Sequence, residues 1–194
     1  AGSCRQALCD ERDMLLVFDE IQVGMGRTGS LWAYQQFSVE PDVMTLAKAL
    51  GGGLPIGATL MTQKVADAIQ PGDHAATFGA NPVVANVANT VLTKLMADGF
   101  LEGIQEKGEY LRAGLEKLQQ RYPDKISEIR GRGLIQGAVM TDKAPAEYLA
   151  AFREREILVA PCATDVVRFL PPLVIEKEQI GEAIDVFDEI LRQG

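Results

Sequence analysis

The sequence predicts an α/β fold: part of a large domain with a mainly parallel sheet over residues 1–98, then a small C-terminal α+β domain over residues 99–194. Three observations predict it. Apolar runs of strand length, Met14 to Phe18, Val43 to Leu46 and Ile56 to Met61, alternate with short segments of helical pattern, as a parallel sheet and its crossovers require. The first run is apolar throughout, which is the mark of a strand covered on both faces, and it ends on Asp19. Beyond Tyr122-Pro123 the pattern changes to closely spaced strands joined through Gly131-Arg132-Gly133.

The elements follow in order. Ser3 to Glu11 reads as the end of a helix feeding the first strand, so the chain is expected to begin in mid-domain at Ala1. Leu31 to Phe37 predicts a short helix, ended by the Glu40-Pro41-Asp42 turn. Thr62 is placed to cap a helix over Lys64 to Ile69. Asn81-Pro82 puts a capping side chain and a proline where a helix prefers them, and Val83, Val84, Val87, Ala88, Val91, Leu92 and Leu95 then recur at helical spacing. Leu101, Ile104, Leu111, Leu115 and Leu118 predict a second amphipathic helix, stopped at Tyr122-Pro123, with the domain boundary near Gly99. Strands are expected at Ile126 to Arg130, Leu134 to Met140, Ile157 to Pro161 and Val166 to Leu170, with helices over Pro145 to Glu154 and along the Ile180 to Leu191 apolar stripe.

Composition limits the function. The 194 residues are 47% hydrophobic and 24% charged, as in a globular protein able to bury a core. Net charge is −8, from 27 acids against 19 bases, with no basic run to serve nucleic acid or an anionic membrane. No apolar run is long enough to span a bilayer and the start has no secretory pattern, so a cytoplasmic protein is expected, without membrane or nucleic-acid partners. Three cysteines, Cys4, Cys9 and Cys162, and one histidine, His74, fit no metal signature; no metal is expected, and the thiols read as buried and reduced.

Two stretches carry chemistry. In Thr45-Leu46-Ala47-Lys48-Ala49-Leu50-Gly51-Gly52-Gly53-Leu54-Pro55 a lysine follows an apolar run and precedes three glycines that let the backbone approach a ligand. A desolvated lysine is a good amine nucleophile; the plainer reading is a surface lysine before a turn. In the other stretch Asp19 closes the first strand, and ligands of open α/β sheets sit beyond such carboxyl ends. A lysine opposite an acid is the pair used by pyridoxal phosphate enzymes, the lysine forming a Schiff base and the acid partnering the ring nitrogen. Gly24-Met25-Gly26-Arg27-Thr28-Gly29 matches the dinucleotide-binding pattern, with Glu40 and Asp42 further on, and offers a nicotinamide oxidoreductase as an alternative. Thr77, just before a helix, can offer a hydroxyl to a phosphate or serve as a loop residue. Arg168, among apolar neighbours, calls for an anion, either a ligand carboxylate or an internal acid.

The chain resembles the class III aminotransferases of the acetylornithine type. Asp19-Glu20-Ile21-Gln22, Gly26-Arg27-Thr28-Gly29, Pro41-Asp42, the Ala47 to Ala58 stretch around Lys48, Thr77-Phe78-Gly79-Ala80-Asn81-Pro82 and Arg168-Phe169-Leu170-Pro171-Pro172-Leu173 match that family's motifs in order, from about Leu8 onward. The resemblance implies the fold type I of pyridoxal 5'-phosphate enzymes and a transfer of the ω-amino group of N-acetylornithine, or a similar ω-amine, to 2-oxoglutarate. It implies Lys48 and Asp19 as catalytic residues, Asp19, Glu20, Ile21, Gln22, Lys48 and Thr77 as cofactor-binding, and Arg168 and Ala76 as substrate-binding. Thr77 is expected to reach the cofactor phosphate of a neighbouring subunit, hence a homodimer with a shared site. The Ala160-Pro161-Cys162-Ala163 stretch departs from the family pattern, and Ala76 stands where relatives often carry a hydroxyl. In the family much of the sheet precedes the Asp19 strand, so the chain is also expected to be incomplete, leaving a catalytically inactive folding or dimerisation module as a further alternative.

Overall fold

In the computed structural model residues 2–193 are described, with side chains from Gln6 onward; the expectations at Ala1 and for the Cys4 thiol lie outside them. The chain divides into two compact units, Ala1–Leu101 and Glu102–Gly194.

The first unit opens with α1 (Gly2–Glu11), then β1 (Val17–Asp19), β2 (Val43–Leu46), β3 (Ala58–Met61), the single-turn α2 (Gln63–Ala66) and α3 (Pro82–Leu95). The sheet order is β1-β2-β3, with β1 and β2 parallel and β2 and β3 antiparallel. The chain returns to β3 through residues 47–57, a 3-10 turn and glycines with no α-helix to serve as a parallel crossover.

The apolar run before Asp19 is not the doubly covered strand its composition suggests. Only Val17–Asp19 is strand, and Met14, Leu15 and Val17 are about half exposed. At its start the backbone is tied by a side chain: Leu16 N donates to Asp42 Oδ2 at 2.8 Å, while Asp42 N and Val43 N donate to Leu16 O. On its other edge β1 has no strand among the described residues.

Asn81 caps α3 as its position predicts, its Oδ1 accepting from Val83 N and Val84 N at 3.0 and 3.3 Å, with Pro82 in the first turn. Thr62 does not cap with its side chain, and the helix that it precedes lasts only four residues. The segment expected as a helix at Leu31 to Phe37 is a 3-10 turn over Ala33–Gln36.

The second unit contains most of α4 (Phe100–Arg121), then β4 (Ile126–Arg132), β5 (Ile135–Met140), α5 (Pro145–Glu154), β6 (Ala160–Cys162), β7 (Val166–Phe169) and α6 (Lys177–Gln193). Its sheet is antiparallel throughout, in the order β4-β5-β7-β6. The apolar stripes of α4 (Ile104, Leu111, Leu115, Leu118) and α6 (Ile180, Phe187, Leu191) are buried as their spacing requires. Phe152, Phe169 and Phe187 form a triangle with ring centroids 5.4–5.8 Å apart, within the favourable range for aromatic pairs. α4 meets the β4–β5 turn backbone to backbone: a Cβ on Gly108 would lie 2.5 Å from Gly133 Cα, so only glycine fits. Gln136, buried on β5, donates through Nε2 to both Gly108 O and Gly133 O.

Both described cysteines are free, but neither is buried as expected: Cys9 is half-buried near the end of α1, and Cys162 is exposed on β6, an edge strand.

Candidate active site

Parallel pairing sets Asp19 directly beside Thr45, at the carboxyl ends of β1 and β2. Glu20 N carries the pairing one step further, donating to Thr45 O at 3.0 Å. Asp19 is exposed and oriented by its Oδ1, which accepts from Ile21 N at 2.9 Å and, over a longer 3.4 Å, from Thr45 Oγ1. Its Oδ2 accepts no hydrogen bond among the described residues and is available to a ligand. Thr45 was not singled out by sequence, since its role follows from the register between two strands far apart in the chain.

Lys48 follows β2 within three positions and is exposed. Its φ is +46°, a left-handed conformation that costs a side-chain-bearing residue about 1–2 kcal/mol. The preceding Ala47 is extended (φ −163°), so the left-handed turn begins at the candidate nucleophile itself. The turn is seated on α3: the position of a Cβ on Gly52 lies 3.1 Å from Val91 Cγ2 and 3.5 Å from Val87 Cγ1. Such strain persists only where surrounding structure enforces it, and it concentrates at functional positions.

Ile21 and Gln22 are half-buried in the turn that follows Asp19. Glu20, expected among the cofactor contacts, faces the other way: it is 2% exposed, and its two carboxylate oxygens accept from Ala33 N and Tyr34 N, each at 2.8 Å. That acid is committed to protein backbone. Its neighbour in the fold is Gly24, where a Cβ would lie 2.8 Å from Glu20 O and 3.0 Å from Glu20 Oε2.

The dinucleotide pattern lacks its usual setting here. Gly24 to Gly29 opens no helix, and Asp42, one of the two acids further on, accepts from Leu16 N. Gln36 Nε2 instead ties the loop together, donating to Thr28 O, Thr28 Oγ1 and Ser30 Oγ. Burial pushes the Arg27 guanidinium below its ordinary value.

Ala76 and Thr77 lie in a fully exposed segment over residues 71–80, in a turn closed by Gly79 N donating to Ala76 O at 3.2 Å. Phe78 is 85% exposed there. The first free amides of α3 are taken by Asn81 and are not open to an anion.

Arg168 belongs to the second unit. It is half-buried on β7, with Gly137 of β5 on one side and Ala160 of β6 on the other. Among the described residues no cluster of three or more His, Cys, Asp or Glu side chains can hold a metal ion.

The family pattern Aminotransferase class-III matches residues 4–191. The chain belongs to the class III aminotransferases. Acetylornithine aminotransferase of Caldanaerobacter subterraneus is 44% identical over 186 residues, covering 96% of this chain and 47% of the relative, and that of Synechocystis is 45% identical over 190 residues, covering 96% and 43%. Among solved structures, N-acetylornithine aminotransferase from Stenotrophomonas maltophilia superposes with a TM-score of 0.87 at 38% identity, over 98% of this chain and 50% of that one. Plasmodium falciparum ornithine δ-aminotransferase gives a TM-score of 0.88 at 31% identity, over 97% and 48%. The chain thus spans about half the length of the relatives it matches. Class III aminotransferases are fold type I, pyridoxal phosphate-dependent enzymes, and the mixed α/β architecture is theirs.

Proposed function

We propose that this chain carries the lysine-bearing part of a pyridoxal 5'-phosphate aminotransferase acting on N-acetylornithine or a similar ω-amine, with 2-oxoglutarate as the amino acceptor. The observation that carries the proposal is the strained lysine, Lys48 at φ +46°, in the turn just after β2, the strand whose parallel neighbour ends in Asp19 with one carboxylate oxygen available. The names of the matched relatives support the choice of substrate.

The residues fit the cofactor's chemistry. Lys48 would hold it through its amine and Asp19 Oδ2 would keep a proton on the ring nitrogen, with Ile21 against the ring face and Gln22 bonding the phenolic oxygen. When bound, the cofactor supplies an electron sink for the bonds of the amino-bearing carbon. Once the substrate's amine has displaced it, the freed Lys48 amine would take a proton from that carbon and return one, as general base and acid. Arg168 holds the substrate α-carboxylate by two parallel hydrogen bonds, which a guanidinium offers and an ammonium does not. Thr77 takes the phosphate bound by a second copy, giving a homodimer, and Ala76 contacts substrate through its backbone.

The test joins this chain to the remaining length of a relative, adds pyridoxal 5'-phosphate, reduces with borohydride and maps the adduct by mass. A single pyridoxyl adduct on Lys48, absent from Lys48→Ala, is expected. An adduct unchanged in Lys48→Ala overturns the assignment. The reading of this chain, by itself, as a folding or dimerisation module draws on its half-length coverage of relatives and on the exposed Met14, Leu15 and Val17.

A further inference from the structure

Glu20 sits inside the stretch that the proposed cofactor site uses, between Asp19 and Gln22, yet its side chain is turned inward. We propose that Glu20 is a positioning residue: by clamping the backbone of Ala33 and Tyr34 it holds the turn after β1 closed and so fixes how Asp19 and Gln22 are presented to the cofactor ring. The inference rests on the reading that the ring lies against Asp19.

The geometry makes the clamp tight. Two consecutive amides, Ala33 N and Tyr34 N, converge on one carboxylate at 2.8 Å each, one on each oxygen, so both oxygens are engaged. The carboxylate is 2% exposed, so water does not replace a lost partner. The main chain of Glu20 is held as well. Its N–H donates to Thr45 O at 3.0 Å and its C=O accepts from Gly24 N at 2.9 Å. Gly24 leaves room for this closure, since a Cβ there would meet both Glu20 O and Oε2. Asp19 therefore lies between two fixed points. Ahead of it is the β1–β2 pairing; behind it is Glu20, followed by Ile21, whose N–H holds Asp19 Oδ1 at 2.9 Å. Releasing the Glu20 carboxylate frees the turn that carries Ile21 and loosens the one short bond that orients Asp19.

A residue that only capped the Ala33–Gln36 turn would leave Ile21 and Asp19 alone, and this separates the two roles. Amide resonances are followed in the ¹⁵N-labelled chain for Glu20→Gln, which removes one acceptor oxygen, and for Gly24→Ala, which crowds the carboxylate without touching its charge. In both, Ala33 and Tyr34 are expected to lose about tenfold or more of their exchange protection, and the Ile21 amide to move toward its random-coil position, while β2 stays protected. In the chain completed with a relative's remaining length, the visible band of the bound cofactor is expected to shift in both variants. An unmoved Ile21 amide, an unshifted band, or loss of protection throughout the first unit in both variants overturns the proposal. A complete lack of a visible band without any substitution condemns the cofactor reading instead, and the Ile21 amide still decides whether Glu20 orients Asp19.

Discussion

Lys48 is held where a glycine would be more comfortable. Replacing a residue at φ +46° by glycine removes the steric penalty, whereas alanine keeps it. Lys48→Gly is therefore expected to raise the free energy of unfolding by about 1 kcal/mol in urea titrations, net of the extra chain entropy of glycine, while Lys48→Ala gives no such gain. Equal stabilities for the two variants would show that the lysine is not strained. Arg168 supplies a second prediction. Arg168→Lys, in the completed enzyme, should weaken binding of both amino-acid and 2-oxo-acid substrates more than it affects cofactor attachment, as read by titrating each substrate against the cofactor absorbance. Unchanged affinities would assign Arg168 to an internal ion pair.

Helix α4 shows what glycine does when two backbones touch. The atoms facing Gly108 are main-chain atoms of Gly133, which cannot rotate aside as a side chain can. Gly108→Ala is expected to cost about 3 kcal/mol, at the upper end of overpacking penalties, measured by the denaturation midpoint of the second unit. The end of the same helix meets α6 through Asp188, which accepts from Tyr122 Oη and Arg121 at 2.8 and 2.7 Å. Burial alone would raise the Asp188 carboxyl, but these hydrogen bonds, with the nearby positive charges, outweigh it and hold the group below its ordinary value. A carboxyl lowered in the folded state stabilises fully above its unfolded value, near pH 4, and loses that contribution as pH falls through the folded one. Asp188→Asn should thus flatten part of the acid limb of a stability–pH curve below about pH 4, and an unaltered limb would deny the linkage. These helices were readable from sequence because a buried stripe imposes its own period, and Asn81-Pro82 because a cap acts within three residues. The tie of Leu16 to Asp42 and the inward turn of Glu20 were not: in each, the partner, Asp42 or Ala33, lies more than a dozen residues away and leaves no periodic trace.

As a whole the chain presents apolar side chains along β1 and a fully exposed segment around Phe78, both in the first unit. An unpaired strand edge flanked by apolar residues invites association. The chain alone is expected to self-associate with rising concentration, by light scattering, and not to transaminate N-acetylornithine with added cofactor; Leu15→Lys with Val17→Lys should reduce the association. A monomer at all concentrations, or turnover like that of the full-length relatives, would refute this. The two units can also be watched separately, because the single tryptophan, Trp32, stands immediately before the pair of amides that Glu20 holds, while three of the four tyrosines, Tyr110, Tyr122 and Tyr148, belong to the second unit. Indole emission therefore reports the loop behind Asp19, and tyrosine absorbance mainly the second unit. Two optical signals that part company during a single titration would reveal that one polypeptide melts as two bodies, with no label added to either.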